Sequence, residues 1–245
     1  MNVYDTIVAA KKVKKTLFAV LVDPGKTDVS QLNRLLKAIE KRPIDFIFIG
    51  GSLANAHQLD QCIQILKDYQ AAPIVIFPGN EVQIHPQADA ILLLSLISGR
   101  NPDLLIGKHV NAAMQLKKSK LEVIPTGYML VESGKLTSVA YISHTLPIPR
   151  DKNDIASATA LAGELLGMKM IYLEAGSGAE NAVPAEMIQA VKNTIDIPLI
   201  VGGGIDTVTK YEQAINAGAD LIVVGNALEK NPELLREFKI STSSH

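Results

Sequence analysis

The chain has 245 residues, a formal net charge of −1 and a pI of about 6.5. This balance excludes the strongly basic face of a typical nucleic-acid-binding protein, and one cysteine, Cys62, excludes an intrachain disulfide and a multi-cysteine metal site. No apolar run approaches the roughly 20 residues that cross a bilayer, and the first residues lack the apolar stretch of a secretory signal, so we expect a cytoplasmic protein.

The lysine cluster near the N-terminus and the single cysteine are both predicted to have structural roles. Four lysines between residues 11 and 15 are typical of the solvated face of a first helix, with contact to an anionic membrane surface as the alternative. Cys62 lies in a helical pattern, where a buried structural thiol is favoured over a nucleophile.

Eight short apolar runs recur along the chain, with helical patterns between most of them. Their continuous apolarity is typical of strands buried on both faces, and strand–helix alternation favours a parallel sheet. Eight such strands favour closure, so a single (β/α)8 barrel over residues 1–245 is predicted, close to the usual size of about 250 residues. The runs are Leu17–Val22, Phe46–Ile49, Ile74–Phe77, Ala90–Leu94, Leu121–Pro125, Met170–Leu173, Leu199–Val201 and Leu221–Val224.

Two connections depart from this repeat. Residues 78–88 begin with Pro78-Gly79 and contain Pro86, which leaves too little room for a crossover of about a dozen residues or more, so an irregular third crossover is predicted. Residues 128–149 form an insertion after strand 5, with Ser133-Gly134 as a turn signal. A hairpin or a lid over the barrel mouth is predicted there.

Small and polar residues follow six of the strands at the end where barrel enzymes carry their active sites. Gly202-Gly203-Gly204 follows the seventh strand and Gly225-Asn226 the eighth. Glycines let backbone N–H groups approach an anion, and a helix N-terminus adds partial positive charge. Turn formation is the alternative use of such residues, but their placement favours a phosphate-bearing ligand.

The sixth strand runs into the sequence Tyr172–Gly178. Alternation aims Tyr172 and Glu174 into the barrel, with Glu174 nearer the mouth. Glu174 there suits hydrogen bonding to ligand hydroxyls or work as a general base. Capping of a following helix is the alternative, and the two glycines around Ser177 argue against it.

Asp23 follows the first strand, and Ser52 follows Gly50-Gly51 after the second. One carboxylate and one hydroxyl make a sparse set of ligands, which Mg²⁺ tolerates when a substrate phosphate completes its shell. An aspartate before Pro-Gly is otherwise a common turn former.

Together these motifs resemble the geranylgeranylglyceryl phosphate synthase family, which includes the bacterial heptaprenylglyceryl phosphate synthases. The resemblance spans nearly the whole chain, and Tyr172–Gly178 is its most specific part. It implies Mg²⁺-dependent transfer of a prenyl group, with geranylgeranyl as the first expectation, from its diphosphate to the 3-hydroxyl of sn-glycerol 1-phosphate. The motifs are Val22–Lys26, Ile49–Ser52, Phe77–Asn80, Tyr172–Gly178, Val201–Ile205 and Val224–Asn226.

The resemblance also assigns roles. Asp23 and Ser52 match magnesium ligands, and Glu174 is the candidate base. It further implies a homo-oligomer, a dimer or larger, and the lipid substrate implies peripheral contact with a membrane. The expected sn-glycerol 1-phosphate site consists of Tyr172, Leu173, Glu174, Ala175, Gly176, Ser177, Gly178, Gly203, Gly204, Gly225 and Asn226.

The main alternative is another phosphate-binding barrel enzyme, such as a sugar-phosphate isomerase or aldolase. Lys169 precedes the sixth strand and so lies at the wrong end for the catalytic lysine that such enzymes often use. A flavin-dependent barrel and a non-catalytic scaffold are further alternatives. For the diphosphate, candidate basic groups with ordinary surface residues as the alternative are Lys26, Arg100, Lys108, His109 and His144.

Overall fold

The computed structural model describes residues 2–80 and 82–239, and its eight parallel strands close into one barrel. Each strand pairs with the next, and the last pairs with the first. The predicted (β/α)8 barrel is confirmed. Its strands are β1 (Leu17–Val22), β2 (Phe46–Ile49), β3 (Ile74–Ile76), β4 (Ala90–Leu96), β5 (Glu122–Leu130), β6 (Met170–Glu174), β7 (Leu199–Gly202) and β8 (Leu221–Val224).

The strands are buried on both faces, which explains their continuous apolarity. Alternate side chains such as Phe48, Leu92 and Tyr172 fill the barrel interior. Their neighbours, such as Ile47 and Leu173, pack into an outer layer beneath the helices. Aliphatic side chains dominate both layers because each strand is covered on both sides.

Helices surround the barrel and close one end of it. Val3, Ile7 and Ala10 of the first helix join the interior cluster, and the Val3 N–H donates to the Glu122 carboxylate at 2.6 Å. This helix therefore plugs the N-terminal end. The helices are α1 (Val3–Lys12), α2 (Val29–Lys41), α3 (Ala56–Tyr69), α4 (Lys108–Ser119), α5 (Ser138–Ser143), α6 (Asn153–Leu165), α7 (Ala185–Lys192), α8 (Val208–Asn216) and α9 (Asn226–Lys230), with a π-helical turn at Asp103–Gly107 and a 3-10 helix at Pro232–Arg236.

The third crossover is irregular, as predicted, since the described residues between β3 and β4 form no helix. Buried Gln83 holds this connection in place. Its amide donates to the carbonyls of Gly51 and Ala54 at 2.8 Å each and accepts from the Gly79 N–H at 3.0 Å. The segment is thereby fixed against the loop that carries Ser52, and one flank of the barrel has no covering helix.

The predicted hairpin after strand 5 is wrong. Residues 128–130 belong to β5, which continues because Tyr128 pairs with Leu96 of β4 and with Tyr172 of β6. The connection after β5 contains helix α5 and a parallel bridge between Val131 and Ile148. Tyr128 and Leu130 face the barrel interior, so this apolar stretch serves the barrel and does not pair with the insertion.

Lysines in and just after α1 lie at the end of the barrel opposite the mouth. Lys11 donates to the Asp196 carbonyl before β7, and Lys15 pairs with Asp45, which precedes β2. Cys62 is buried in α3, and burial raises the pKa of its thiol to about 12, which fits the predicted structural role. Within the described ranges, no helix is long and apolar enough to cross a membrane.

Candidate active site

A cavity of about 1330 Å³ opens at the C-terminal ends of the strands. Drug-sized ligands occupy pockets of about 300–1,000 Å³, so this volume has room for a large ligand or for two. One side is polar and is formed by the loops after β1, β2, β6, β7 and β8. The other side is apolar and is formed by Phe77 after β3, by β4 and α4, and by the insertion after β5.

Most of the predicted site residues meet in this cavity, but two do not. The side chains of Leu173 and Ala175 pack into the outer layer, because strand alternation turns them away from the interior. Their side chains therefore lie outside the cavity lining. The predicted residues that line the cavity are Asp23, Ser52, Tyr172, Glu174, Gly176, Ser177, Gly178, Gly203, Gly204, Gly225 and Asn226.

Glu174 is a buried carboxyl group at the end of β6. Its Oε1 accepts the Gly176 N–H at 2.6 Å, and a Cβ on Gly203 would lie 2.3 Å from the same oxygen. Burial raises the pKa of Glu174 to about 7, against the opposing effect of the Gly176 hydrogen bond. A carboxyl group poised near neutral pH suits a general base, and a helix cap would not need this burial.

Tyr172 lies beside Glu174 on the interior face of β6. Its hydroxyl has no partner of good hydrogen-bond geometry among the described residues, although it lies close enough to the Glu174 carboxyl group for each to shift the pKa of the other. Burial and the nearby Glu174 charge hold the pKa of this phenol well above its usual value, so it stays a neutral donor. A buried hydroxyl without a partner is costly, and a ligand in the cavity would relieve that cost.

Aromatic rings cluster where the polar and apolar sides of the cavity meet. The ring of Phe77 lies 5.3 Å from that of Tyr172 and 5.9 Å from that of Tyr128, and the two tyrosine rings are 5.5 Å apart. Such faces attract positive charge. This cluster was not predicted from the sequence, although extending β5 in phase with Tyr172 would have placed Tyr128 inside the barrel.

Asp23 is held by its own loop, by helix α9 and by the loop after β2. Its N–H donates to Glu229 of α9 at 3.0 Å, its Oδ1 accepts from the Gly25 N–H at 3.0 Å, and its Oδ2 lies 3.0 Å from the Lys26 ammonium. A Cβ on Gly51 would lie 2.1 Å from Oδ1, so the carboxylate rests directly on the backbone that leads to Ser52.

This arrangement fits Mg²⁺ as a partial set of ligands. The lysine ammonium already shows that Asp23 Oδ2 faces a position suited to a cation. The described residues contain no group of three or more His, Cys, Asp or Glu side chains able to hold a metal ion. A metal here would therefore need substrate oxygens to complete its shell, as Mg²⁺ commonly does.

The loops after β1, β6 and β8 are joined through side chains. Lys26 donates to Ser177 at 3.3 Å, and the Asn226 amide donates to the same hydroxyl at 3.1 Å. Lys108, His109 and His144 also line the cavity. Arg100 instead donates to the Gly99 carbonyl at 2.8 Å.

The apolar arm of the cavity runs along the flank left open by the third crossover. Ile91 of β4 and Ala112 and Leu116 of α4 belong to the outer layer and line the cavity, as does Ile84 of the irregular connection. Near its upper end Ser95 and His109 form a hydrogen bond of 3.0 Å that ties β4 to α4. A long apolar ligand would lie where a regular barrel carries a helix.

The insertion after β5 borders the mouth. Leu136, Thr137, Tyr141 and His144 line the cavity, and Thr137 packs where a Cβ on Gly176 would meet it at 2.6 Å. A lid in contact with the Gly176 loop fits the predicted cover. Water exclusion matters for any reactive intermediate formed beneath it.

Comparison with known proteins reveals close relatives. The chain matches the PcrB family over residues 10–242. A protein of Spirosoma linguale named geranylgeranylglyceryl phosphate synthase is 53% identical over 221 residues, which cover 90% of this chain and 89% of that protein. One of the same name from Pyrococcus horikoshii is 43% identical, over 91% of this chain and 88% of that protein.

Solved structures of similarly named proteins have a similar fold over most of the chain. A crystal structure of (S)-3-O-geranylgeranylglyceryl phosphate synthase from Thermoplasma acidophilum, in complex with sn-glycerol-1-phosphate, has a TM-score of 0.90 and 32% identity over 96% of this chain and 95% of that one. The YdjI aldolase of Escherichia coli, at 13% identity and a TM-score of 0.57 over 97% of this chain and 93% of that one, shares the fold alone. Lys169 lies over Tyr4 of α1, at the end of the barrel opposite the mouth, so this lysine does not reach the cavity.

Proposed function

The chain belongs to the PcrB family, and from that membership and the cavity we propose that it is a prenyltransferase that joins a prenyl group to sn-glycerol 1-phosphate. The observation that carries this function is the position of Glu174. This buried carboxyl group lies beside glycine-rich loops at one side of a cavity whose other side is apolar. One cavity thus offers a phosphate side, a base and a lipid side.

The polar side suits sn-glycerol 1-phosphate. The loops that end β6, β7 and β8 come together, with Ser177 bonded to Asn226 and Gly203 packed on Glu174. Backbone N–H groups in such loops bind phosphate oxygens. With the phosphate there, the glycerol hydroxyls face Glu174 and Tyr172, whose hydroxyl gains the partner that it otherwise lacks.

Glu174 then accepts the proton of the 3-hydroxyl. The hydroxyl oxygen forms a bond to the first carbon of the prenyl group, the bond from that carbon to the diphosphate breaks, and the proton passes to the carboxylate. The rings of Phe77, Tyr128 and Tyr172 lie beside this point and stabilise positive charge on the delocalised allylic group. The insertion after β5 excludes water from it.

We propose Asp23 and Ser52 as the protein ligands of Mg²⁺. Support comes from the fit between the Asp23 carboxylate and the Gly51–Ser52 backbone, and from the cation already paired with Asp23. When bound, Mg²⁺ supplies neutralisation of the charge that develops on the departing diphosphate. Asp23 is held ready for this role by its bonds to Glu229 and Gly25.

The donor is proposed to be a long prenyl diphosphate, with geranylgeranyl diphosphate as the first choice. Support comes from the names of the relatives and from the apolar arm between β4 and α4. The arm is bordered by leucine side chains such as Leu104 and Leu116. Its length along β4 limits the length of the chain that it accepts.

Partners and location are proposed on surface features. Exposed apolar side chains on α4 (Val110 and Met114) and at the end of α6 (Leu165 and Leu166) support a homo-oligomer, a dimer or larger. Exposed Leu53 after β2, and exposed Leu136, Tyr141 and Leu146 in the insertion after β5, support peripheral contact with a membrane that holds the lipid donor. A cytoplasmic location stays a prediction.

The test is a transfer assay. Purified protein receives labelled sn-glycerol 1-phosphate, a panel of prenyl diphosphates and either Mg²⁺ or EDTA, with sn-glycerol 3-phosphate as the control acceptor. We expect label to enter the organic phase with sn-glycerol 1-phosphate and not with sn-glycerol 3-phosphate. The prenyl diphosphate that reacts best then indicates the length of the apolar arm. If no donor gave extractable label although glycerol phosphate stabilised the protein against heat, the prenyltransferase function would be wrong. The alternative of a phosphate-binding barrel enzyme such as an isomerase would then be favoured.

A further inference from the structure

One lysine links the two loops to which separate roles are assigned above. Lys26 lies in the loop after β1, and its Nζ is 3.0 Å from Asp23 Oδ2 and 3.3 Å from Ser177 Oγ. Ser177 is in turn bonded to Asn226 at 3.1 Å. A single ammonium group therefore lies between the magnesium loop and the glycerol-phosphate loops.

The Lys26 ammonium lies beside Asp23 Oδ2, where a metal ion bound by Asp23 would also lie. Asp23 Oδ1 is engaged by the Gly25 N–H, which leaves Oδ2, the oxygen paired with Lys26, as the more available metal ligand. Two cations on one carboxylate oxygen repel each other, so metal binding requires the ammonium to leave. The lysine side chain is 54% exposed and has a flexible four-carbon stem, so it is free to turn.

Among the described residues, the Lys26 ammonium is paired with Asp23 and bonded to the Ser177 hydroxyl, and the Glu229 carboxyl group is near enough to interact with its charge. That hydroxyl and Asn226 are two neutral groups of the proposed phosphate side. An ammonium released from Asp23 toward them needs an anion, and a phosphate group is the anion this part of the cavity is proposed to hold.

We propose that Lys26 is a movable phosphate ligand that neutralises Asp23 in the metal-free enzyme and donates to a substrate phosphate once metal occupies Asp23. The proposal rests on the proposed function. The phosphate belongs either to sn-glycerol 1-phosphate or to the diphosphate, which share the same oxygen chemistry. Lys26 acts in both states without moving the backbone, since its N–H stays bonded to the Asp23 carbonyl at 3.0 Å.

The test measures metal and anion binding separately in Lys26→Gln. Mn²⁺ is titrated into metal-free protein and its free concentration is followed by electron paramagnetic resonance. We expect Mn²⁺ to bind roughly two- to fivefold more tightly, the range for loss of a half-exposed ion pair. Calorimetry with sn-glycerol 1-phosphate and with inorganic diphosphate, each in Mg²⁺, should show roughly 10- to 100-fold weaker binding of one of them, as for loss of a charge-assisted hydrogen bond. The anion that weakens identifies the source.

Two further variants sharpen the result. Lys26→Arg keeps the charge and should restore most of the anion affinity. Lys230→Gln removes a cation that lines the same cavity and should leave both affinities unchanged. A merely structural role for Lys26 would not strengthen one ligand while weakening another.

The outcomes separate cleanly. Unchanged or weaker Mn²⁺ binding in Lys26→Gln, or unchanged affinity for both anions, would overturn the role of Lys26. Wild-type protein that binds no Mn²⁺ and transfers without a divalent metal would overturn the magnesium site itself, and the displacement step with it. Wild-type protein that binds Mn²⁺ but transfers no prenyl group would overturn the proposed function, whereas opposite shifts in the two affinities would still support the movable lysine.

Discussion

Replacing Glu174 with glutamine tests whether this carboxyl group is held in the folded protein at a cost in stability. Glu174 is buried at the end of β6, and burial raises its pKa from 4.5 to about 7. In glutamine the side-chain oxygen still accepts the Gly176 N–H, and the amide can donate to the Tyr172 hydroxyl oxygen, which has no partner among the described residues. The substitution therefore removes the charge with little change in packing.

The sign follows from the raised pKa. Between about pH 4.5 and 7 the unfolded chain releases the Glu174 proton while the folded protein keeps it, so the wild type loses stability as pH rises. The shift from 4.5 to about 7 corresponds to a loss of about 3 kcal/mol, since each pKa unit is about 1.4 kcal/mol. The glutamine variant lacks this loss. Its free energy of unfolding should exceed that of the wild type by about 3 kcal/mol more at pH 8 than at pH 4.5.

The measurement is urea unfolding of both proteins at several pH values, followed by far-ultraviolet circular dichroism because the chain has no tryptophan. Glu40→Gln, at an exposed position of α2, is the matched control and should show a much smaller change. A wild-type-minus-variant difference that stays flat across this pH range would refute the reasoning, because it would mean that Glu174 is as easily ionised in the folded protein as in the unfolded chain. If Glu174→Gln also lost prenyl transfer activity, the buried carboxyl group would be assigned a role in catalysis.

Three further predictions address the site. The kcat/KM of the transfer reaction should fall as pH drops below about 7, because Glu174 must be unprotonated to accept the hydroxyl proton; a rate profile that stays level down to pH 5.5 would contradict the base role. Gly203→Ala should lower the free energy of unfolding by ~1–3 kcal/mol and weaken binding of sn-glycerol 1-phosphate, because its φ is +81° and the new Cβ would lie 2.3 Å from Glu174 Oε1. Both the free energy of unfolding and the affinity for sn-glycerol 1-phosphate are measured by calorimetry. Gly167→Ala is the control for backbone strain, because Gly167 has a φ of +90° and a Cβ there would meet no other atom. Equal effects of the two substitutions would exclude the contact with Glu174 as the cause. Phe77→Leu should lower kcat by roughly 2- to 30-fold with little change in KM, as for loss of a cation–π contact. The control Phe238→Leu, in the outer layer, should lower thermal stability alone. A change confined to KM in Phe77→Leu would mean that the ring binds the substrate in its ground state and does not stabilise the transition state.

The strand pattern of the barrel was readable from the sequence because burial on both faces leaves a local signature. β1, β2 and β8 begin and end where their apolar runs do. β5 was underestimated because Pro125, Thr126 and Gly127 interrupt its apolar run. Pairing with β4 and β6 extends it to Leu130, and that pairing is a tertiary contact that no local window contains.

The site residues divide in the same way. Strand alternation, applied only to Tyr172 and Glu174 in the sequence, also turns the side chains of Leu173 and Ala175 outward, so the sequence alone could have placed both outside the cavity lining. The resemblance to a family gathered the remaining residues by motif. The aromatic cluster around Phe77 was not anticipated because its members come from β5, β6 and the end of β3.

By itself the sequence determined the number of strands, the irregular third crossover and the glycine and carboxylate positions at the mouth, because period, turn residues and strand ends are local properties. Only the tertiary structure decided the raised pKa of Glu174, which depends on burial, and the contact of Lys26 with Ser177, 151 residues away in the chain. Barrel closure brings the ends of β1, β6 and β8 to one mouth. Electrostatic effects depend on distance in space and on exclusion of water, and neither is fixed until the barrel closes.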